Sequence, residues 1–115
     1  MLNKDLTYLN HILDCINDIE DFCKNYTEVE FIKSKITFNA CIRMLEVIGE
    51  ATKKISNETK NKFPEIEWKK IAGLRDVLIH NYEGVDLKSL WGIIQLNIPE
   101  LKQKINQIII QYNKN

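Results

Sequence analysis

The chain has 115 residues, of which 44% are hydrophobic and 28% are charged, and its formal net charge is zero. This length and composition are typical of one globular domain spanning residues 1–115, and they argue against a disordered chain. Zero net charge argues against a protein whose main role is non-specific nucleic-acid binding, although it leaves room for a local basic surface. No apolar run reaches the roughly 20 residues of a membrane span and no signal-peptide pattern opens the chain, so we expect a cytoplasmic protein without membrane association.

Three cysteines, Cys15, Cys23 and Cys41, form no CxxC pair, and the chain has two histidines. This set does not match the ligand spacing of a zinc site. We therefore expect reduced, partly buried thiols, and neither a metal nor another cofactor.

The chain has only four glycines and two prolines, and no segment alternates apolar and polar residues as a strand would. An all-α fold is therefore predicted. Apolar residues at helical spacing predict a first helix over residues 5–25. Thr27-Glu28-Val29-Glu30 matches a capping box and predicts a short helix over residues 28–33, continued by a long one to about residue 56.

A polar connector with a short helical turn is expected over residues 57–64, followed by a central helix over residues 67–81. Asp86 is a suitable N-cap for a helix over residues 87–96, and Pro99 suits the start of a last helix that ends near residue 112. Long helices with short connectors favour an antiparallel bundle of four to five helices.

The central helix contains the segment IAGLRDVLIHNY, residues 71–82. Arg75 lies in the apolar stripe of this helix, where a packing helix would carry Leu or Ile. A guanidinium there must be paired, or must face a cavity that receives an anion, because burying an unpaired charge is costly. Asp76 and His80 are four residues apart, so the carboxylate can accept a hydrogen bond from the imidazole.

Arg75 and His80 together are a minimal set for metal-free cleavage of RNA. Histidine can exchange protons near neutral pH, and arginine can bind phosphate oxygens and stabilise the charge that develops on them. The adjacent 2′-hydroxyl of the RNA would be the nucleophile, and Tyr82 would add a hydroxyl donor or stack on a base.

The helical spacing places Arg75 and His80 about 140° apart around the axis, so they do not share a face. Either the helix unwinds near His80, or two chains related by a two-fold axis assemble the site. We favour the second alternative, which makes a homodimer necessary for activity. The motif alone is also compatible with structural roles, such as an ion pair of Arg75 with Glu46 or Glu50 on the preceding long helix.

The sequence resembles the HEPN superfamily and, within it, the HepT-like group once known as DUF86. The RxxxxHxY motif is formed by Arg75, His80 and Tyr82 in LRDVLIHNY. The resemblance extends along nearly the whole chain, in order. It includes Phe31, LEVIGEA (residues 45–51), PEIEW (residues 64–68), IAG (residues 71–73), Val85-Asp86, Trp91 and IPEL (residues 98–101). The position after the arginine is often Asn in this group and is Asp76 here.

The resemblance implies a HEPN-like homodimer that is the toxin of a type VII toxin–antitoxin system. Its activity would be a metal-independent ribonuclease whose composite site uses Arg75 and His80, supported by Asp76, Asn81 and Glu50. The implied partners are RNA as substrate and an MntA-like nucleotidyltransferase antitoxin, which would silence the toxin by transferring AMP to Tyr82.

Two other interpretations remain open from the residues. One is a non-catalytic HEPN-like module that recruits or regulates a partner nucleotidyltransferase. The other is a purely structural dimeric bundle, in which replacing Arg75 would impair folding more than any activity.

Overall fold

The fold is a bundle of helices. A computed structural model describes residues 3–80 and 86–114, without the side chains of residues 75–80, and these ranges contain helices and no strand. The elements in chain order are α1 (Asn3–Phe22), α2 (Glu28–Lys33), α3 (Lys35–Lys54), α4 (Asn57–Lys62), α5 (Trp68–His80), α6 (Leu87–Gly92), a π-helical segment (Ile93–Asn97) and α7 (Ile98–Lys114). The predicted all-α class is confirmed, and the four long helices are α1, α3, α5 and α7.

Helix α3 is the centre of the bundle, because α1 and α5 both pack along it, while α7 packs against α1. Apolar residues at helical spacing produce this arrangement, since each long helix turns one stripe towards its neighbours. The predicted stripe of α1 is buried at Leu9, Ile12, Ile16 and Ile19. The core also takes in Phe31 of α2, whose ring centroid lies 5.0 Å from that of Trp91 in α6.

The predicted helix starts are largely confirmed by their caps. Thr27 Oγ1 accepts from the backbone N–H of Glu30 at 3.2 Å, while the backbone N–H of Thr27 donates to Glu30 Oε1 at 2.9 Å, so the capping box is complete. Asp86 caps α6 by accepting from the backbone N–H groups of Lys88 and Ser89. The first helix runs from Asn3 to Phe22 instead of over residues 5–25, because the chain turns through Asn25 with a positive φ of 65°.

The last helix begins at Ile98, next to Pro99 as predicted, but it is continuous with the preceding helical segment and not separated from it by a connector. The backbone stays helical from Leu87 to Lys114, and the π-helical segment replaces the connector. The backbone N–H of Ile98 donates to the carbonyl of Ile93, five residues earlier. Proline has no N–H and its ring clashes with the carbonyl four residues back, so a locally widened turn just before Pro99 lets the helix continue.

Asp5, which no sequence motif singled out, forms the main polar contact between distant parts of the described chain. Its fully buried carboxylate accepts from the backbone N–H of Ser56 at 2.9 Å, from Ser56 Oγ at 2.6 Å and from Thr59 Oγ1 at 2.7 Å. These bonds attach the first turn of α1 to the N-cap of α4. A signal was present in the sequence, because Asp5 precedes Leu9 by four residues and so continues the buried stripe of α1.

Candidate functional site

The predicted site residues lie on two helices that pack together. Arg75, Asp76 and His80 are in α5, and Glu50 is in the neighbouring α3. Asn81 and Tyr82, predicted as a supporting residue and as the modified hydroxyl, lie outside the described residues. The side chains of Arg75, Asp76 and His80 are likewise outside the description, and the structure gives only the backbone positions of these residues on α5.

The start of α5 is fixed by Trp68. Its side chain is 7% exposed, and its indole N–H donates to the carbonyl of Phe63 at 3.0 Å. Ile71 packs against the core and Ala72 is half-buried. The stripe predicted for this helix therefore faces the bundle over its first turn and a half, and position 75 continues the same stripe.

The opposite face of α5 is open within the described part of the chain. Lys69 is exposed, and a methyl group added at Gly73 would meet no atom of the described residues within 4 Å. At about 100° per residue, Asp76 and His80 lie on the same face as these two positions. The helix thus presents the histidine position on a face that the described part of its own chain does not cover.

The helical backbone of α5 continues through His80. The helix does not unwind before the histidine, so Arg75 and His80 keep the angular separation of about 140° expected from the sequence, with an axial offset of roughly 7.5 Å. Of the two alternatives for assembling the site, this geometry supports the one that uses two chains.

Two glutamates of α3 were considered as partners for Arg75. Glu46 already has a neighbour on its own helix, because Arg43 Nη1 lies 3.4 Å from Glu46 Oε2 in a largely exposed pair. Glu50 is half-buried, one turn further along α3. Because α3 packs along α5, the location of Glu50 on α3 is compatible with the supporting role predicted for it.

An apolar groove of about 230 Å³ lies between the first half of α5 and the helices that follow it. Its wall on this side consists of Glu67, just before α5, and of Lys70, Ile71 and Leu74 in α5. These positions point about 130° away from the His80 direction around the helix axis. The groove is therefore separate from the open face that carries the histidine position.

The described residues offer neither a metal-binding cluster nor a membrane-spanning helix. They contain no group of three or more His, Cys, Asp or Glu side chains able to hold a metal ion. They also contain no helix that is long and apolar enough to cross a membrane.

A helical bundle whose central helix carries the arginine and the histidine of an RxxxxHxY sequence motif has the features of the HEPN class. The family model described as "Ribonuclease HepT-like" matches residues 12–108 of the chain. The chain therefore belongs to the HepT-like ribonuclease family, as the resemblance of its motifs indicated.

Curated relatives agree with this assignment. A protein of Methanocaldococcus jannaschii named "Gamma-glutamylcyclotransferase and putative RNase" is 44% identical over 99% of the chain, which spans only 52% of that relative's length. A protein named "Putative RNase" from the same organism is 42% identical over 85% of the chain and 90% of its own length. "Probable ribonuclease HepT" of Thermococcus cleftensis is 44% identical over 88% of the chain and 92% of its own length. No solved structure matches the chain.

Proposed function

We propose that this protein is a metal-independent endoribonuclease in which Arg75 and His80 carry the chemistry. The observation that carries the proposal is the intact RxxxxHxY sequence motif, whose arginine and histidine lie in α5, in a chain that belongs to the HepT-like ribonuclease family. Relatives named as ribonucleases support RNA as the substrate. A cytoplasmic location is part of the same proposal.

In the proposed reaction the 2′-hydroxyl of one nucleotide attacks the adjacent phosphorus, and the bond to the 5′-oxygen of the next nucleotide breaks. His80 moves a proton, either from the attacking hydroxyl or to the leaving oxygen. Arg75 binds the phosphate oxygens and stabilises the negative charge that develops on them. Such a site needs no metal, because the charge is balanced by the guanidinium.

We further propose that two chains form the working site and that Tyr82 is its regulatory position. The angular separation of Arg75 and His80 and the open face of α5 support a homodimer in which the two motifs face each other. Position 82 falls on the stripe of Arg75 if the helical pattern is extended. An AMP group on Tyr82, transferred by a nucleotidyltransferase antitoxin, would then place a phosphate beside the arginine and exclude that of the RNA. This is the off-switch of a toxin–antitoxin pair.

The test is cleavage of purified transfer RNA and messenger RNA in excess EDTA by wild type, His80→Ala and His11→Ala. His11 is the other histidine of the chain and is exposed on α1, so its replacement is the matched control. We expect wild type and His11→Ala to cleave, and His80→Ala to be slower by about 10²–10⁴-fold, the usual contribution of a general acid or base.

Intact-mass analysis of the same samples shows whether AMP modifies the protein. Full activity of folded His80→Ala would contradict the mechanism. No cleavage by an unmodified, dimeric, folded wild-type sample would favour the non-catalytic binding module instead.

A further inference from the structure

Two of the three cysteines lie in contact in the core, although they are 18 positions apart in the sequence. Cys23 Sγ and Cys41 Sγ lie 3.5 Å apart. Cys41 is fully buried, and Cys23 retains 7% of its surface exposed. Cys15 is also buried, and no thiol contact of Cys15 is found among the described residues.

The backbone around Cys23 holds its sulfur in this position. Cys23 follows the last residue of α1, and its N–H donates to the carbonyl of Ile19 at 3.1 Å. Its own carbonyl accepts from the N–H of Tyr26 at 3.0 Å in the turn that leads to α2. Cys41 lies on the buried stripe of α3, the helix along which α1 packs, so the two thiols are brought together by the main helix pair of the fold.

The two thiols differ in acidity. The hydrogen bond from Cys41 lowers the pKa of the Cys23 thiol despite its burial. The same bond, together with burial, raises the pKa of the Cys41 thiol. Burial and the nearby Asp18 and Asp14 carboxylates raise the pKa of Cys15. Cys23 is therefore both the more acidic and the more exposed member of the pair, as an attacking thiolate should be.

We propose that Cys23 and Cys41 are an oxidation site that forms an intramolecular disulfide, with a peroxide as the oxidant. The Cys23 thiolate attacks one oxygen of hydrogen peroxide, the O–O bond breaks, and the products are a sulfenic acid and, after proton uptake, water. Cys41 sulfur then attacks the Cys23 sulfur, and the hydroxyl leaves with a proton as a second water. Two thiols lose two electrons in total, and one peroxide is reduced to two waters.

A disulfide bond is about 2.05 Å long, so the sulfurs must approach by roughly 1.5 Å, a distance within reach of small side-chain rotations. The new bond would connect the C-terminal end of α1 to α3 and close the loop that contains α2. This inference does not depend on the proposed ribonuclease activity.

The test is oxidation of the full-length, fully reduced protein with a small excess of hydrogen peroxide, followed by blocking of the remaining thiols and peptide mapping. Digestion with trypsin and Asp-N places the three cysteines on different peptides, because Asp18 separates Cys15 from Cys23, while Lys24 and Lys35 separate Cys23 from Cys41. We expect a Cys23–Cys41 linked peptide, a mass lower by two hydrogen atoms, and Cys15 still free.

Three comparisons sharpen the test. Cys15→Ser removes the uninvolved thiol and should give the same product, whereas Cys41→Ser should leave a Cys23 sulfenic acid that dimedone traps. Oxidation in concentrated urea should instead give mixed pairings that include Cys15. The oxidised wild type should melt higher than the reduced protein by on the order of 10 °C, a shift absent from Cys41→Ser.

Retention of three free thiols in the folded protein after peroxide treatment would overturn the proposal. So would the same mixture of pairings from folded and urea-denatured samples, since the fold would then select no pair. Both results are read on the wild-type chain, so the test holds even if a variant fails to fold.

Discussion

Asp5 shows how a single charged residue can be kept in the core of a small bundle. Burial raises the pKa of the Asp5 carboxyl, but the hydrogen bonds from Ser56 and Thr59 together lower it by more than burial raises it. The pKa therefore falls below its ordinary value of 3.8. The folded protein therefore favours the carboxylate more than the unfolded chain does. Asp5 thus stabilises the fold above the ordinary pKa of an aspartate, and this contribution is lost as the pH falls through the lower pKa of the folded state.

Replacing this carboxylate should cost stability in a pH-dependent way. Asp5→Asn keeps the shape but exchanges charged for neutral hydrogen bonds, so we expect a loss of about 1–3 kcal/mol in the free energy of unfolding at neutral pH. Urea unfolding of wild type and variant between pH 7 and pH 2.5 measures the difference, which should shrink below about pH 4.

Asp18→Asn, an exposed aspartate of the same helix, is the control and should change stability little. An equal loss for both variants, or a difference that does not change with pH, would show that the buried carboxylate does not act in this way.

At the level of elements, α5 has two faces that differ in their surroundings. The stripe of Trp68 and Ile71 packs on the bundle, whereas the face of Lys69 and Gly73 is open within the described residues. Arg75 continues the first stripe and His80 the second face. A helix of this kind separates the two proposed catalytic residues by its geometry, and a second copy of the helix can bring an arginine and a histidine together again.

This arrangement predicts complementation between inactive chains. If each site takes Arg75 from one chain and His80 from the other, a heterodimer of Arg75→Ala and His80→Ala chains contains one intact site of the two. Refolding the inactive variants together should therefore restore RNA cleavage to a level that follows the heterodimer fraction, measured by native mass spectrometry. Homodimers of each variant are the controls. Inactive samples with a verified heterodimer would indicate that both residues of a site come from one chain.

At the level of the whole molecule, the net charge is zero, but the acidic and basic residues are unevenly distributed along the chain. Helix α1 carries five carboxylates, Asp5 among them, against the single Lys4. Residues 53–70, from the end of α3 to the start of α5, carry six lysines against three glutamates. Among these lysines, Lys70 lies 3.8 Å from Glu67, while Lys53, Lys60 and Lys69 show no ion pair within the described residues. Lys69 shares the face of His80, roughly 16 Å away along α5.

The lysines of residues 53–70 should bind the RNA backbone if RNA is the substrate, as proposed. Single-stranded RNA affinity then falls with salt at a logarithmic slope of about −0.7 per phosphate contact. In an inactive His80→Ala background, replacing Lys53, Lys60 and Lys69 with Gln should make the slope shallower by roughly two, as three contacts are lost. Fluorescence anisotropy with labelled RNA between low and moderate salt measures this slope.

The control replaces three exposed lysines from outside residues 53–70, Lys24, Lys88 and Lys114, with Gln, which gives the same change in net charge. Equal slopes for the two triple variants would assign RNA binding to another surface. Unchanged cleavage by the active form of the first variant would point the same way, without bearing on the catalytic residues.

Sequence patterns were sufficient to predict the all-α class, the starts of α2 and α6 and the helix that carries Arg75 and His80. These depend on local interactions, namely helical periodicity and side chains that cap the nearest backbone N–H groups, as at Thr27 and Asp86. Three features became visible only in the folded bundle. Asp5 accepts hydrogen bonds from Ser56 and Thr59, and the sulfurs of Cys23 and Cys41 lie in contact. A π-helical segment just before Pro99 keeps the backbone helical there. The two contacts join residues 18 to 54 positions apart. They depend on how each helix is rotated and shifted against its neighbours, which the packing of the whole core fixes and no local pattern records.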